Sequence, residues 1–388
     1  MKILMVHPHD IFSREEPWTV RIRSLALEFV KKGHQVRLVY FPLNARDASK
    51  KINWKGIEVF SLSRKLGVGN FFKNILFLRR LAGWADVVHF QKCFYYAALP
   101  ALIAGLVRGR HIHYDWDDWE IKIYFYSRGQ NYLMGMFLWL LERAMPFLAD
   151  TVSVSSERLR RECLRYGLPS NRIFEGHVGA DLERFNPENK GGYIKQRYGI
   201  NGPLVIYIGQ LHGGQYVELF IDAAEKLSKK IPGVTFMIAG GGYRLEDLKK
   251  YSDSLGLNGK LLFTEHIPHD EIPSYIAAAD ICVACFEKND ITECKSPLKI
   301  VEYLASGKPI VASNVGEIQR MVGEAGILTE PGDSASLAEG IERLLKDRVL
   351  AQELSKKARL QAERKYNWSN TAENLLDAYR SYAHRGSK

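Results

Sequence analysis

The stretch Ser296-Pro297-Leu298-Lys299-Ile300-Val301-Glu302-Tyr303-Leu304-Ala305-Ser306-Gly307-Lys308-Pro309-Ile310-Val311-Ala312-Ser313 predicts a helix that runs directly into a buried strand. Ser296 suits the N-cap, Pro297 suits the first helical position, and Gly307 with Pro309 ends the helix. A helix N-terminus attracts phosphate. Lys299 adds positive charge in the first turn, and Glu302 can accept hydrogen bonds from sugar hydroxyls. A nucleotide site is one interpretation, and a surface helix with a Lys299–Glu302 ion pair is the other.

The same alternation of strands and helices extends outward from this stretch. Strand patterns lie at 204–208, 234–239, 260–264 and 280–284, separated by helical patterns at 217–230, 245–251 and 271–279. The N-terminal half has strand patterns at 2–6, 35–41, 86–90, 111–115 and 151–155 and helical patterns at 17–32, 95–107 and 132–148. Repeated βα units form parallel sheets covered on both faces. We therefore expect an α/β protein with two Rossmann-like, doubly wound domains facing across a cleft.

Composition indicates a globular protein of a reducing compartment. Hydrophobic residues make up 46% of the 388 residues and charged residues 25%, as in ordinary globular domains. No apolar run approaches the ~20 residues that cross a bilayer. The five cysteines show no disulfide framework, and Cys282 and Cys285 lie in an apolar strand pattern typical of a core. We expect a cytoplasmic protein.

The net charge of +10 lies entirely in the first half of the chain. Residues 1–185 hold 28 lysine and arginine residues against 18 acidic residues, and the remainder is balanced. This asymmetry favours an anionic partner, either membrane lipid head groups or a phosphorylated acceptor, with simple solubility as the alternative. No nucleic-acid-binding motif accompanies the charge, so we expect no nucleic-acid partner.

Polar and aromatic residues follow the first predicted strand. His7-Pro8-His9-Asp10 comes at its carboxyl end, and Trp18 and Arg21 follow soon after. Because ligands bind at the carboxyl ends of parallel strands, we expect these residues to line the cleft. Binding is favoured over catalysis, with loop capping as the alternative. Two histidines without a third ligand do not predict a metal site.

A denser cluster follows the strand at 111–115. His113-Tyr114-Asp115-Trp116-Asp117-Asp118-Trp119-Glu120 brings four carboxyl groups together. Carboxylates this close raise one another's pKa, which suits a general base or an acceptor of sugar hydroxyl protons. The two tryptophans offer flat surfaces for stacking. A divalent-cation site and a set of solvated loop acids are the alternatives.

Glycines follow two strands of the second half. Gly209-Gln210-Leu211-His212-Gly213-Gly214-Gln215 comes after the strand at 204–208, and Gly240-Gly241-Gly242 after the strand at 234–239. Glycine at the end of a strand lets the backbone approach a ligand. Neither stretch is a dinucleotide fingerprint, but together with residues 296–313 they favour one ligand site at the edge of one sheet.

These motifs together resemble glycosyltransferase family 4, the group 1 nucleotide-sugar enzymes with the two-domain GT-B fold. The matching segments are 205–209, 237–242, 278–283 and above all 296–313, and 179–187 resembles the interdomain segment. The resemblance implies a retaining glycosyltransferase. It would move a hexosyl or N-acetylhexosaminyl unit from a nucleotide diphosphate sugar to a glycan or lipid-linked acceptor in cell-surface polysaccharide or glycolipid synthesis.

The resemblance also implies roles for each domain and for single residues. Residues 1–185, completed by a last helix within 370–388, would bind the acceptor, and residues 186–369 would bind the donor. In the donor site Glu302 would bind ribose, Leu298 and Lys299 the diphosphate, and His266 and Ile267 the base. The remaining donor-site residues would be Ser296, Gly209, Gln210, Gln215 and Gly240, and the acceptor-site residues His9, Trp18, Arg21, Asp118 and Trp119. No metal or other cofactor is expected, since the leaving phosphate assists transfer.

The departures from the family pattern concern charge. The family's first glutamate falls at Cys294, so we expect Glu293 to take over its contact with the donor sugar. The arginine and lysine that neutralise the diphosphate fall at Gln210 and Gln215, so we expect Lys299, Lys295 or, more weakly, His212 to supply that charge. The family's cleft histidine falls at Asp117. Asp117, Glu293 and Lys299 are therefore the candidate catalytic residues.

Two further expectations and two alternatives complete the interpretation. The basic first half and the apolar pattern at 132–148 resemble membrane-facing features, which implies peripheral contact with an anionic membrane at its inner face. A nucleotide-sugar epimerase also uses two such domains, and would form product without an acceptor. A degenerate protein that binds a nucleotide sugar without turnover is the second alternative, favoured by Gln210, Gln215 and Cys294.

Overall fold

The computed structural model describes residues 1–13, 16–126, 131–213 and 216–383, which fall into two compact units. Unit 1 comprises Met1–Val178 and Trp368–Lys388, and unit 2 comprises Gly179–Asn367. From the sequence we expect the two boundaries between the units after residues 185 and 369. In the structure the boundaries fall after residues 178 and 367.

The regular elements of unit 1 alternate between strands and helices. In chain order they are β1 (Lys2–Val6), α1 (Val20–Lys31), β2 (Gln35–Tyr40), β3 (Lys51–Trp54), β4 (Ile57–Ser61), α2 (Val68–Trp84), β5 (Val87–Gln91), α3 (Tyr95–Val107), β6 (His111–Trp116), α4 (Glu120–Tyr126), α5 (Tyr132–Leu148), β7 (Thr151–Val154), α6 (Glu157–Arg165) and β8 (Ile173–Glu175).

Unit 2 repeats the alternation, and one further helix follows it. In chain order its elements are α7 (Gly192–Arg197), β9 (Leu204–Ile208), α8 (Val217–Lys230), β10 (Thr235–Ala239), α9 (Leu245–Ser254), β11 (Leu261–Phe263), α10 (Ile272–Ala278), β12 (Ile281–Ala284), α11 (Asp290–Cys294), α12 (Leu298–Ala305), β13 (Ile310–Ser313), α13 (Gly316–Val322), β14 (Gly326–Thr329), α14 (Ser334–Lys346) and α15 (Arg348–Arg364). The last helix, α16 (Trp368–Ala383), belongs to unit 1.

The strands of unit 1 form one twisted α/β sheet. Within the described residues, the sheet has eight strands in the order β3-β4-β2-β1-β5-β6-β7-β8. Every neighbouring pair is parallel except β3 with β4. The chain leaves β1 toward β2 on one side and returns through β5 on the other, so the strand order reverses between β1 and β5. Ligands bind at such a reversal, outside the carboxyl ends of the strands.

The strands of unit 2 form a fully parallel sheet of Rossmann order. In the described part of the chain it has six strands, β11-β10-β9-β12-β13-β14. The order reverses between β9 and β12. Tyr207 of β9, Phe220 of α8 and Phe236 of β10 are fully buried in the core beside the sheet. The predicted pair of Rossmann-like sheets is confirmed.

The last helix returns to unit 1, as the sequence predicts. α16 packs against α1 and against the strands β6, β7 and β8. Tyr379 of α16 places its hydroxyl 2.8 Å from Nδ1 of the buried His89, and the Thr371 hydroxyl donates to the carbonyl of His177 at 3.0 Å. Buried polar bonds of this kind fix the helix in register on the sheet.

Helices α4 and α5 expose many apolar side chains. Of the helices that the structure describes, none is long and apolar enough to cross a membrane. The exposed large apolar residues of these two helices are Phe125, Tyr126, Tyr132, Leu133, Met134, Met136, Phe137, Trp139, Leu140, Phe147 and Leu148. Many exposed apolar side chains on two helices that follow one another suit a docking surface.

Candidate functional site

In unit 2 the predicted donor-site glycines meet at the carboxyl ends of β9 and β10. Gly209 follows β9 and donates its N–H to the carbonyl of Ala239 at 3.0 Å. A Cβ atom on Gly240 would overlap the carbonyl oxygen of Gly209. Glycine is therefore required at residue 240 for the two strand ends to approach one another, and the backbone at Gly209 remains partly exposed.

Helix α12 begins beside this glycine pair, one residue later than the sequence predicts. Pro297 is the N-cap, with an extended ψ of 124°, and no side chain caps the helix. The prediction of Ser296 as the N-cap is wrong, because the extended ψ of Pro297 keeps that residue outside the helix, which begins at Leu298. The Ser296 hydroxyl instead lies 3.7 Å from the sulfur of Met321. The uncapped first turn at Leu298 and Lys299 keeps the N–H donors that suit a phosphate.

The end of α12 follows the prediction. Gly307 adopts the left-handed conformation with φ of +60°. The N–H groups of Gly307 and Lys308 donate to the carbonyls of Leu304 and Tyr303 at 3.0 and 3.1 Å. This is the hydrogen-bond pattern of a glycine C-cap.

Lys299 directs its ammonium group back across the sheet edge toward Gly209. Nζ lies 3.9 Å from the ring centroid of Tyr207 and 5.8 Å from that of Phe286. A Cβ on Gly209 would lie 2.6 Å from this nitrogen. Nζ is shielded from solvent, and among the described residues it has no hydrogen-bond partner. Burial lowers the pKa of Lys299 to about 7.

Glu302 lies one turn further along α12 and has a partner that the sequence did not reveal. Its Oε1 is 2.9 Å from Nε2 of His269, and its side chain is only 6% exposed. His269 lies in a single helical turn, His269–Glu271, after β11. A carboxylate held by one neighbour through one oxygen leaves lone pairs for a second hydrogen-bond donor.

The remaining predicted donor-site residues lie around these loops. A Cβ on Gly241 would lie 3.3 Å from the backbone nitrogen of His266, which is exposed, whereas Ile267 is buried. Gln210 is partly exposed directly after Gly209. Gln215 lies outside the described residues.

The two positions considered for the first glutamate differ in exposure. Cys294 is 1% exposed, so its side chain belongs to the interior. Glu293, one residue earlier in α11, is partly exposed and donates its N–H to the carbonyl of Asn289 at 3.0 Å. Of these two residues, Glu293 is therefore the one that solvent reaches.

In unit 1 the acidic cluster surrounds a lysine that sequence reasoning missed. Lys92 follows β5 and is 4% exposed. Its Nζ lies 3.4 Å from a carboxylate oxygen of Asp117, 3.4 Å from one of Asp118, and closest to Glu120. The carboxyl oxygens of these three acids lie within 4.8 Å of one another, a geometry that could hold a metal ion. The Lys92 ammonium supplies positive charge to the same three groups.

Asp117 has the proton affinity of a neutral-pH acid or base. Burial, together with the charges of Asp118 and Asp115, raises its pKa to about 7 against the opposing effect of Lys92. The side-chain amide of Gln91 donates to Oδ2 of Asp117 at 2.6 Å. A carboxyl group poised near neutral pH suits proton transfer or hydroxyl binding.

The structure assigns Arg21 to the interior of unit 1, so its predicted position at a ligand site is wrong. Nε and Nη2 donate to the two carboxylate oxygens of Asp115 at 2.8 and 2.7 Å, and Nη1 donates to the carbonyl of His177 at 3.2 Å. Arg21 is 4% exposed and Asp115 is fully buried. The bidentate bond to Asp115 and the bond to His177 hold the guanidinium group inside unit 1, away from solvent and from an acceptor.

The predicted stacking surface of the two tryptophans is also wrong. Trp116 is the last residue of β6, is fully buried, and donates its indole N–H to Glu142 at 3.0 Å. Trp119 is 9% exposed, with the Arg158 guanidinium 5.3 Å and the Lys122 ammonium 5.2 Å from its ring centroid. The strand runs further than predicted, which carries Trp116 into the core.

His9 and Trp18 lie together near the end of β1. Their rings meet edge to face with centroids 5.5 Å apart, and 42% of Trp18 is exposed. Nδ1 of His9 lies 2.8 Å from Glu16, whose other carboxylate oxygen accepts from Arg64 at 2.7 Å. These contacts hold His9 in place and leave the indole of Trp18 available to a ligand.

Two family models match the chain on either side of the junction. The model described as glycosyl transferases group 1 matches residues 194–361, and the model described as glycosyltransferase family 4 matches residues 19–184. The match to the first model contains Gly209, Lys299 and Glu302, and the match to the second contains Lys92 and Asp117.

Curated relatives are about one quarter identical to the chain over the residues that align. The alpha-D-kanosaminyltransferase of Streptomyces kanamyceticus is 27% identical over 245 residues, which is 62% of this chain and 62% of the relative. The mannosylfructose-phosphate synthase of Agrobacterium fabrum is 26% identical over 290 residues, 70% of this chain and 60% of the relative. The chain thus spans about three fifths of the length of these relatives.

Solved structures match over nearly the whole chain. The sucrose-phosphate synthase of Thermosynechococcus elongatus has a TM-score of 0.73 at 18% identity and covers 99% of this chain and 100% of its own. HepE of Anabaena has a TM-score of 0.75 at 19% identity, with 98% and 100% covered. At this identity the likeness shows the fold.

Proposed function

The chain belongs to the group 1 glycosyltransferases of family 4 and has their two-Rossmann-domain GT-B fold. From this premise we propose that the protein transfers a sugar from a nucleotide diphosphate sugar to an acceptor, with retention of anomeric configuration. One observation carries the proposal: Lys299 of α12 reaches the backbone of Gly209 at the end of β9, the strand beside which the order reverses, and Glu302 lies one turn further along the same helix. Diphosphate at Lys299 and ribose at Glu302 describe a nucleotide bound at the expected edge of a Rossmann-like sheet.

Charge at this site supports cleavage of the sugar–phosphate bond. When the bond from the anomeric carbon to the phosphate oxygen breaks, negative charge grows on the leaving diphosphate. The Lys299 ammonium and the uncapped N–H groups of α12 stabilise that charge. The acceptor hydroxyl forms the new bond to the anomeric carbon and gives its proton to a leaving phosphate oxygen. Glu293 contacts the donor sugar.

On the acceptor side we assign hydroxyl binding to Asp117, Asp118, His9 and Trp18. The raised pKa of Asp117, about 7, lets its carboxyl group either donate or accept a hydrogen bond with a sugar hydroxyl near neutral pH. The reaction as proposed uses no metal. Lys92 supplies positive charge to the acidic cluster, and Lys299 supplies it at the diphosphate.

Relatives and structural neighbours support the donor class. HepE structures hold UDP, UDP with glucose, or UDP-glucose. Other relatives are a sulfoquinovosyl transferase of Arabidopsis thaliana and a GDP-mannose-dependent phosphatidylinositol monomannoside mannosyltransferase of Mycolicibacterium smegmatis. We extend from these to a nucleotide-sugar donor and to a glycan or lipid-linked acceptor in cell-surface polysaccharide or glycolipid synthesis.

A lipid-linked acceptor would bring the protein to a membrane surface. The exposed apolar side chains of α4 and α5 and the positive excess of residues 1–185 favour peripheral docking on an anionic bilayer. Sedimentation with vesicles of phosphatidylglycerol and phosphatidylcholine tests this. The variant with both Leu133→Glu and Leu140→Glu should lose binding, whereas Leu360→Glu, exposed on α15, should keep it. Equal binding by both variants would reject the docking surface.

A thermal-shift panel of UDP, GDP, ADP and their sugars tests the donor site. A ligand at one hundred times its Kd stabilises the folded state by about 2.7 kcal/mol. Glu302→Ala should abolish the shift, because the ribose contact is lost, and Glu339→Ala, exposed on α14, should retain it. No shift with any nucleotide would refute the proposal.

Turnover separates transfer from its alternatives. With the nucleotide sugar that gives the largest shift, a transferase releases free nucleotide diphosphate only when a suitable acceptor is present. A new nucleotide sugar formed without acceptor would indicate an epimerase. Binding without any product across a panel of glycan and lipid-linked acceptors would indicate a degenerate binding protein.

A further inference from the structure

We propose that Lys299 couples donor binding to proton uptake, so that the buried amine becomes the diphosphate's counter-charge only when the nucleotide sugar arrives. The inference rests on the proposed donor site and adds its regulation by pH. It starts from an unusual placement: a lysine nitrogen shielded from solvent at the strand-order reversal, with no hydrogen-bond partner among the described residues.

The surroundings of the Lys299 nitrogen favour the neutral amine while no ligand is bound. The nitrogen lies 3.9 Å from the ring centroid of Tyr207 and 5.8 Å from that of Phe286, and the Gly209 backbone is close to it. A buried ammonium without a hydrogen-bonded anion is costly, and the amine responds by releasing its proton. The cation–π contact with Tyr207 offsets only part of that cost.

The titratable neighbours of Lys299 do not neutralise it. The Cys285 thiol after β12 and the Glu302 carboxyl on α12 favour the charged amine, and Lys295 opposes it. Burial keeps Cys285 protonated by raising its pKa to about 12. Glu302 is already paired with His269 at 2.9 Å. The net result is the lowered pKa of Lys299, about 7.

A diphosphate would reverse this balance. The predicted phosphate-binding positions Gln210 and Gln215 are uncharged, and we assign the positive charge at the diphosphate to Lys299 rather than to Lys295 or His212. A phosphate oxygen close to Nζ provides both the missing acceptor and an opposite charge, and each raises the pKa of the amine. The bound state therefore keeps a proton that part of the free protein lacks.

The number of protons taken up on binding follows from the protonation of Lys299 in the free and in the nucleotide-bound protein. At pH 7 about half of the free protein lacks the proton, and at pH 8 about nine tenths lack it. Binding should take up about 0.5 proton at pH 7 and about 0.9 at pH 8. Affinity should be constant below about pH 6 and should fall about tenfold per pH unit above pH 7.5, until the bound amine itself titrates.

Isothermal titration calorimetry measures this uptake directly. The probe is whichever of UDP-glucose, GDP-mannose and ADP-glucose raises the melting temperature most. A nucleotide sugar lacks the terminal phosphate ionisation near pH 6 that would obscure the signal in UDP or GDP. The slope of observed enthalpy against buffer ionisation enthalpy, taken at pH 7 and pH 8, gives the number of protons taken up.

Three variants locate the proton. Lys299→Arg keeps a permanent charge, so it should bind without uptake and without the affinity loss above pH 7. Lys299→Met should bind at least tenfold more weakly at pH 6.5. Lys288→Met, an exposed lysine in the loop before α11, should match the wild type.

The outcomes distinguish this inference from the function on which it rests. Binding by the wild type with no buffer dependence at pH 8 would overturn the linkage and leave the donor site intact. Uptake that persists in Lys299→Arg would assign the proton to a histidine such as His212, His266 or His269 and would also overturn it. Failure of all three nucleotide sugars to bind would overturn the donor site itself. If Lys299→Arg does not fold, the slope for Lys299→Met at saturating nucleotide sugar decides, since uptake that persists in that variant would overturn the linkage.

Discussion

Replacing Lys92 with methionine removes a cation that contacts all three acids of the unit 1 cluster. Nζ lies 3.4 Å from both Asp117 and Asp118 and closest to Glu120, and the lysine is 4% exposed. Methionine keeps much of the side-chain volume, so packing changes little. What changes is electrostatic, since three carboxyl groups within 4.8 Å are left without their counter-charge.

The cost follows from the burial of the cluster. Removing one partner of a buried ion pair costs about 3–5 kcal/mol, because the remaining charge is desolvated without compensation. In a unit of this size each kcal/mol lowers the melting temperature by about 2–4 °C. The Lys92→Met variant should therefore melt about 6–20 °C below the wild type at pH 7. Lowering the pH to 5 should reduce the deficit, since the carboxyl groups can then take up protons.

The same variant should acquire a cation site. Three carboxylates without the lysine offer the oxygen ligands that Ca²⁺ and Mg²⁺ prefer. A cation present at one hundred times its Kd would restore about 2.7 kcal/mol, or most of the loss at its lower limit. Differential scanning fluorimetry with and without millimolar CaCl₂ or MgCl₂ measures this, and Lys73→Met, exposed on α2, is the matched control.

Two results would refute this reasoning. A Lys92→Met melting temperature within 2 °C of the Lys73→Met value would mean that the lysine does not neutralise the cluster. Stabilisation of the wild type by Ca²⁺ or Mg²⁺ as large as that of the variant would mean that the cluster binds a cation in the presence of Lys92.

Two further predictions concern backbone approach and acid stability. Gly240→Ala places a Cβ on the Gly209 carbonyl and should cost about 2–4 kcal/mol with loss of the nucleotide thermal shift, whereas Gly192→Ala, with open space around it, should change urea unfolding by less than about 0.5 kcal/mol. Glu16 is buried, which opposes ionisation, but hydrogen bonds from His9, Arg64 and a backbone N–H lower its pKa to about 2. Its ionised form should stabilise unit 1 by up to about 3 kcal/mol above pH 5, lost as the pH falls from about 4.5 toward 2. Glu16→Gln should lower the urea midpoint at pH 6 and show a smaller drop between pH 6 and 3.5, and an unchanged midpoint at pH 6 would contradict this.

The fold could be predicted where the chain is buried on both sides of a sheet. The bounds of β9 and α8 match the predicted ranges because continuous apolar runs and amphipathic periodicity mark them clearly. No strand was predicted at β3, β4 or β14. In β3 three of four residues are exposed, and in β14 three of four are only partly buried. β3 and β14 are not buried on both faces and lack the continuous apolar run of buried parallel strands, so composition does not reveal them. This reason does not apply to β4, which is buried at four of its five residues.

The site could be predicted only in part, because pairing partners are distant along the chain. Lys299 and Glu302 share one helix, so their spacing alone brings them together. His269 reaches Glu302 across 33 residues, and Lys92 reaches Glu120 across 28. No periodicity links such pairs. A search for basic side chains directly after neighbouring strands finds Lys92, which follows β5 beside β6, but not His269, which lies six residues beyond β11.

Two carboxyl groups near the end of β6 show how the position of a residue relative to the strand end decides its role. One forms a buried ion pair, and the other can exchange a proton. Asp115 lies within the strand. Burial would raise the pKa of this carboxyl group, but the charge and the two hydrogen bonds of the Arg21 guanidinium outweigh burial and hold the pKa below its usual range. Asp117 lies two residues on, past the strand end, where burial raises the pKa to about 7 although Lys92 opposes it. Both carboxyl groups are shielded from water, but only Asp115 has a bidentate cation to keep it permanently ionised. The residue that can exchange a proton is therefore Asp117, which lies beyond the end of the strand. The same difference in position separates Trp116, which is buried at the end of β6, from Asp118, which lies beyond the strand and is partly exposed.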